Sequence, residues 1–398
     1  MRTLPQIGLF LLATVLIPSL DSAAAEWSGY LAAEGRLFPE KPLFDGQKSR
    51  SVSLAAEPEF YHAWEGGSSF TAVPFLRLDS ADSERSHFDL RELFFLWVRD
   101  EFEVGLGIRK VFWGVTESQH LVDIINQTDL VEYPDGEDKL GQPMASFSAA
   151  LEWGTVDLYV MPYFRERTFP GKNGRLRSAW VVDTDRAGYE NGLKERHPDV
   201  AARYSRTIGD WDIGLSHFRG TGREPTLLPG TDDSGEPVLI PFYVQITQTG
   251  LDLSWVAGEW LWKLESIYRT GQEDPFFAWT GGFEYTFVGI LGSRMDLGVI
   301  GEWLHDTRGR GATTDFENDV MTGLRLAVND PASTEILIGL IQDLDTPARL
   351  VSVEAGRRIG ESFKLEVEGV AFAGLKRNDN LYSLRNDDFV QVTLAYYY

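Results

Sequence analysis

Apolar and polar residues take turns along much of this chain. Over 363–368, Phe363, Leu365 and Val367 fall on one side and Lys364, Glu366 and Glu368 on the other. Over 155–165, Val156, Leu158, Val160 and Phe164 oppose Asp157, Tyr159, Tyr163 and Arg165. Over 350–358, Val351, Val353 and Ala355 oppose Ser352, Glu354 and Arg358. A period of two is the signature of a strand with one apolar and one polar face. Short turns rich in Gly, Asp and Glu open several such stretches: EWGTVDLYVMPYF (152–164), IGDWDIGLSHF (208–218), AGEWLWKLESIYR (257–269) and IGESFKLEVEGVAF (359–372). Each reads as a tight hairpin turn leading into a strand. No linker or compositional break divides the chain, so the rhythm predicts one up-and-down antiparallel sheet.

The pattern places eighteen strands: 26–36, 49–63, 68–79, 86–99, 101–112, 145–153, 155–165, 198–208, 210–220, 242–256, 259–270, 276–290, 294–305, 316–328, 333–343, 347–359, 361–374 and 387–398. An even number suits a single-chain bacterial barrel, and sixteen is the alternative. The same alternation would also fit a soluble sandwich with its polar faces outside. Three features favour an all-β transmembrane barrel. Trp27, Tyr30, Trp97, Trp113, Trp153, Trp211, Trp255, Trp260, Trp262 and Tyr268 lie near strand ends, as interfacial girdles require. Turns on one side are short, while connections at 113–144, 165–197 and 221–241 are long. The final stretch, FVQVTLAYYY, is itself a strand pattern that would close the sheet and remove its edge. In a barrel the apolar face meets outer-membrane lipid and the polar face lines the lumen. Val390, Val392, Leu394, Tyr396 and Tyr398 would then be lipid-facing, with Tyr398 presented to the barrel-assembly machinery.

The N-terminus adds a compartment. Arg2, an apolar run and the small-residue site Ala23-x-Ala25 describe a secretory signal peptide, 1–25, with a barrel over 26–398. Beyond it no run approaches the ~18 apolar residues that a membrane helix needs. The formal charge of −23 disfavours nucleic acid as a partner. The absence of cysteine removes thiolate chemistry, and the 6 histidines are scattered without i, i+4 pairing, so neither a cofactor nor a metal is expected.

Candidate chemistry concentrates in 90–134. After the hairpin at Arg99-Asp100-Glu101 the chain runs through Arg109-Lys110-Val111-Phe112-Trp113-Gly114 into HLVDIINQTDL (120–130). Leu121, Ile124, Ile125 and Leu130 are spaced for a short amphipathic helix. Apolar side chains on a long external loop should leave water, so 113–144 is expected to re-enter the barrel and narrow the pore. The motif residues here are Leu90, Arg91 and Glu92; Gly107, Arg109, Lys110, Trp113 and Gly114; and Asp123, Asn126, Asp129 and Leu130. Together they resemble an uncharacterised family of porin-like outer-membrane β-barrels of Gram-negative bacteria. The likeness covers about 90–165, and Gln127 stands where that family has proline. It implies a barrel and an outer-membrane location, and supplies no substrate.

The infolded loop carries Glu117, Asp123, Asp129 and Glu132, and the predicted lumen face carries Arg77, Arg109, Arg203, Arg325 and Arg358. Opposed charges at a constriction select ions and polar solutes; the bland alternative is a solvated loop. The expectation is a porin-like channel for passive diffusion of small polar or ionic solutes, without bond chemistry. An export conduit for a polymer is the alternative on the same fold. A barrel hydrolase has only Ser216–His217 and Ser118–His120 as close pairs, and strand neighbours point to opposite faces. DTDRAG (183–188) begins like a calcium loop, but its twelfth position is Lys194.

Overall fold

The computed structural model describes residues 25–314 and 316–398, so the expected signal peptide, apart from Ala25, lies outside the described residues. The strands are β1 (Glu26–Leu37), β2 (Arg50–Trp64), β3 (Ser68–Asp79), β4 (Phe88–Arg99), β5 (Phe102–Arg109), β6 (Gln142–Leu151), β7 (Gly154–Met161), β8 (Val181–Val182), β9 (Gly188–Tyr189), β10 (Asp199–Ile208) and β11 (Trp211–Thr221). They continue with β12 (Thr226–Thr231), β13 (Pro237–Tyr243), β14 (Gln245–Ala257), β15 (Trp260–Gly271), β16 (Glu273–Phe287), β17 (Asp296–Asp306), β18 (Asn318–Ala327), β19 (Glu335–Asp343), β20 (Arg349–Ile359), β21 (Phe363–Ala373) and β22 (Phe389–Tyr397). All but β8, β9, β12 and β13 form an 18-stranded antiparallel sheet. It closes on itself, because β1 pairs with β22 from Tyr30↔Tyr397 to Leu37↔Val390. Closure leaves no unpaired edge, the condition for strands to cross a bilayer. No described helix is long and apolar enough to do so instead.

The last strand shows how the alternation was sorted. Val390, Val392, Leu394 and Tyr396 are 48%, 43%, 43% and 40% exposed on the outside, while Phe389, Gln391 and Ala395 are buried inside. Aromatic residues collect at the short-turn end. Trp211 stacks on Trp255 at 5.2 Å, Trp260 on Trp262 at 5.6 Å, and Trp153 on Tyr204 at 5.6 Å. Two residues expected in this girdle are not there. Tyr30 faces inward beside Ala32, and Trp113 is buried in the lumen against Tyr159. Both follow from local context: Tyr30 shares the inward parity of Ala32 and Glu34, and Trp113 stands beyond the end of β5 on the infolding loop.

Two further expectations are corrected. The 113–144 connection enters the barrel, but 120–130 forms turns and two isolated bridges, Thr128↔Lys139 and Asp129↔Thr168, instead of a helix. Within it the Val122 N–H is taken by Glu265, the Asp123 N–H by the His120 carbonyl and the Asp129 N–H by the Asp138 carbonyl, so no i→i−4 ladder forms. The long connections 162–198 and 222–244 are not plain loops. They build a second small sheet in which β12 pairs antiparallel with β13, and β8 and β9 add parallel to β13. Pro229, Pro237 and Pro241 disguise it, because proline inside a short run reads as a strand breaker; Pro229 lies on the edge strand β12, Pro237 opens β13, and Pro241 falls between the β13 residues that pair with β8 and those that pair with β9.

Candidate functional site: the lumen and its infolded loop

The 110–141 loop is held by its backbone. Glu265 on β15 is fully buried, and its carboxylate accepts the N–H groups of Val115 (2.7 Å), Thr116 (3.0 Å) and Val122 (3.1 Å) and the Thr116 hydroxyl (2.7 Å). Glu302 on β17 accepts the N–H groups of Glu117 (2.8 Å) and Ser118 (2.9 Å) and the Ser118 hydroxyl (2.6 Å). Within the loop, Asp123 accepts from Trp113 N–H (2.7 Å) and Gly114 N–H (3.1 Å), and the Asn126 amide bridges Val111, Arg109 and Leu140. Gly114 is required here, since a Cβ would sit 2.3 Å from His120 Nδ1. The apolar residues behave as expected. Leu121, Val122, Ile124 and Ile125 are buried with Phe94, Trp113, Met144, Tyr159, Met161, Phe218 and Ile246 in one cluster on the inner wall. The loop therefore covers the β4–β16 side of the lumen with a dry seam.

Charges sort into two groups along this loop. At its base Glu132 pairs with Arg77 (2.6 Å) and Asp129 with Arg91 (2.9 Å). Arg77 also reaches Glu34 at 2.9 Å, and Arg85 bridges Glu34 (2.7 Å), Asp79 (3.0 Å) and the Val131 carbonyl (2.9 Å). All of these side chains are buried, that of Asp79 included. At the tip the picture reverses. Asp135 and Glu137 face outward into the lumen, within electrostatic range of Glu354 on β20, and Tyr133 senses both Glu354 and Glu368. The acidic tip thus meets an acidic wall where arginines were anticipated. Burial pushes the Asp135 carboxyl up to about 7, with Asp138 and Glu137 adding to it. Burial likewise pushes Asp123 and Asp138 up to about 6. Burial opposes the charge on His120, but the Glu137 and Glu265 carboxylates overcome it and push its pKa up to about 10.

The nine anticipated pore residues divide accordingly. Arg77, Asp129 and Glu132 form the loop's buried foundation. Asp123 caps the loop's own backbone. Arg203 is held by Asp252 (2.6 Å) over the Trp113 ring, and Arg109 lies over Phe94. Glu117 and Arg325 do meet, at 2.7 Å, with Lys263 3.6 Å from Glu117 and Glu284 3.3 Å from Arg325. Arg358 stands opposite Lys364 at the short-turn end, away from the loop. Sequence reasoning missed Glu265, Glu302, Glu34, Arg85 and Arg91 as anchors. The alternation of their strands puts Glu34, Glu265 and Glu302 on the inward face, but nothing local says which partner each meets. The two Ser–His pairs are not coupled. Ser118 is bound to Glu302 and His120 lies against Glu137 and Glu265, while Ser216 is buried inside and His217 bonds Thr249 outside.

Three external connections, 38–49, 162–198 and 374–388, interlock at the mouth. Arg175 bonds Asp387 (2.7 Å) and lies over Phe38, and Gln47 donates to the Gly174 carbonyl (2.9 Å). The opposite wall stays uncovered. No residue of β20 is buried, and inward-facing Lys364, Glu366 and Glu368 on β21 remain accessible. On the outer side of the loop lies a hollow of about 150 Å³ whose rim includes Asp135, Glu137, Arg167, Arg269 and Arg308. Glu224 on that rim is held down at about 2, because Arg269 and Arg167 outweigh its burial.

No family model matches the chain, and no curated protein matches it. Among solved structures it is similar to Wzi of Escherichia coli, described as an outer-membrane protein involved in group 1 capsule assembly and a carbohydrate-binding β-barrel. That match has 10% identity and a TM-score of 0.51, covering 92% of this chain and 83% of that one. It is also similar to OmpT of Vibrio cholerae, in its trimer form (9% identity, TM-score 0.45, 95% and 100% covered), and to a mutant Rh. blastica porin (11%, 0.46, 94% and 100%). At such identities the likeness concerns the fold. With its closed eighteen-stranded antiparallel sheet, apolar exterior and infolded loop, the chain has the fold of an outer-membrane β-barrel such as Wzi.

Proposed function

We propose that this barrel is a channel for passive diffusion of small polar or ionic solutes, with a preference for cations. The observation that carries the reading is the uncovered inner wall at β19–β21 beside a lumen otherwise filled by the 110–141 loop. The path would run from the outer hollow past Asp135 and Glu137, then between Glu117–Arg325 and Glu354, and down along Glu366 and Glu368. Carboxylates outnumber cations on that path, and acidic rings favour cations. The dry seam over β4–β16 leaves no wide bore, which argues against a conduit for a bulky polymer.

Single-channel recording in planar bilayers tests this reading. Folded protein should give steps of small conductance, and a salt gradient should give a reversal potential of cationic sign. Folded protein that never conducts would refute the open channel. Strong anion preference would refute the acidic slot while leaving a channel standing.

A further inference from the structure

We infer that His87, Asp129 and Glu132 form a binding site for one divalent transition-metal ion of the zinc type, which staples the infolded loop to the barrel wall. The three donor atoms lie within 4.8 Å of one another. His87 Nε2 is 3.5 Å from Asp129 Oδ2 and 3.5 Å from Glu132 Oε1. Bonds of about 2.0–2.2 Å to nitrogen and oxygen in tetrahedral geometry place ligand atoms about 3.3–3.5 Å apart. Both histidine–carboxylate spacings match that geometry.

Two atoms of this set are buried and receive no aligned hydrogen bond: His87 Nε2 and Asp129 Oδ2. Asp129 is itself fully buried, so this oxygen, which has the Arg91 guanidinium 2.9 Å away, has no access to solvent. The imidazole is also oriented for the purpose. Its Nδ1 lies 3.2 Å from the Arg85 carbonyl, an acceptor, so Nδ1 carries a proton and Nε2 is the nitrogen that faces the two carboxylates. A nitrogen so placed calls for a cation between it and the carboxylates, either a proton or a metal ion.

The surroundings match those of metal ligands, whose second atoms are hydrogen-bonded to backbone carbonyls, hydroxyls or charged groups. Asp129 Oδ1 accepts from the Thr168 hydroxyl at 2.7 Å, and Glu132 Oε2 accepts from Arg77 at 2.8 Å. Arg91 Nη2 stands 2.9 Å from Asp129 Oδ2, and Arg77 Nε donates to Glu132 Oε1 at 2.9 Å. Each carboxylate oxygen has two lone pairs, so a guanidinium on one leaves the other for the ion. The ring of His87 is partly accessible, with 18% of its side chain exposed, which gives an entry path. An ion here would join residue 87, just before β4, to the loop base and, through Thr168, to the 162–198 loop. The competitor is a proton on Nε2, which would make His87 an imidazolium bridging the two carboxylates.

The test is a cobalt(II) titration of the folded, detergent-solubilised barrel at pH 7.5, read by ligand-field absorption. The expected result is a spectrum that saturates at one ion per chain, collapses on adding zinc(II), and needs about tenfold or more cobalt in the His87→Gln protein. Heat-modifiable gel mobility would show that this variant is folded. A folded wild-type barrel with no cobalt spectrum overturns the inference in favour of the imidazolium. Equal binding by His87→Gln overturns it in favour of adventitious surface carboxylates. If the variant does not fold, X-ray absorption of the zinc-loaded wild type decides: one imidazole nitrogen in the shell supports the site, and an all-oxygen shell overturns it.

Discussion

Replacing Glu265 by alanine should detach the infolded loop while leaving the barrel closed. The side chain is 0% exposed and accepts four hydrogen bonds of 2.7–3.1 Å from the loop, three of them from backbone N–H groups. Alanine removes one anion and strands those donors, and His120 loses the carboxylate oxygen that lies 3.4 Å from its Nδ1. A single orphaned buried donor costs about 1–3 kcal/mol, and breaking a buried charged contact about 3–5 kcal/mol. Water can enter the vacated space and satisfy part of the set, so the lower figure, about 3 kcal/mol, is the appropriate one. At about 1.4 kcal/mol per factor of ten, the detached population then rises more than a hundredfold. The closed sheet keeps its ladder, since β15 holds β14 and β16 through its backbone. Two readouts follow. Single channels should become larger and noisier, and protease should cut near Arg109 and Lys110 at a rate at least tenfold higher. Glu265→Gln keeps one acceptor oxygen and should fall between the two proteins. A Glu265→Ala barrel with wild-type conductance and wild-type protection would refute the idea that this carboxylate anchors the loop.

Glu354→Lys puts a cation into the slot opposite Asp135 and Glu137, and the reversal potential in a salt gradient should move toward anions; an unchanged potential would place the path elsewhere. Because its surroundings push the Asp135 carboxyl up to about 7, that group is largely neutral at pH 5 and largely ionised at pH 8. Cation preference should therefore rise with pH across that interval, and a flat profile would mean that the loop tip is not on the path. Tyr398 stacks with Tyr396 at 6.3 Å and its N–H donates to the Gly29 carbonyl (3.2 Å). Its deletion removes little of the sheet, so a fall in the amount of folded protein in the outer membrane would reflect its proposed role in assembly; normal amounts would leave it only a lipid-facing residue.

The barrel was legible because lipid imposes the same demand on every strand. Any inward–outward slip at Val390, Val392 or Leu394 would place Gln391 or Thr393 in the bilayer, so the alternation is strict and the count of strands can be read from it. Ile124 and Ile125 were legible for a related reason: apolar residues on a long external connection have to be covered by something. What covers them was not legible. Glu265 and Glu302 lie about 150 and 185 residues from the backbone groups they bind, and no local pattern records that pairing. The small sheet at β8, β9, β12 and β13 was hidden because its hydrogen bonds join fragments too short or too rich in proline to signal a strand.

The acids of the loop make the limit plainest. Asp129, Glu132, Asp135 and Glu137 are four carboxylates within nine residues, alike in composition. The first two meet Arg91 and Arg77 and disappear into a buried lattice, where they hold the loop and carry no field into the pore. The other two meet Glu354 and remain at the water. Local sequence predicts the charge of each residue, but the partner across the lumen decides whether that charge becomes mortar or field. The proposed selectivity therefore rests on a tip of a few residues and on three glutamates of β20 and β21, not on the acidity of the loop as a whole. For that reason Glu354→Lys should alter selectivity, whereas neutralising Asp129 or Glu132 should act first on the loop's attachment.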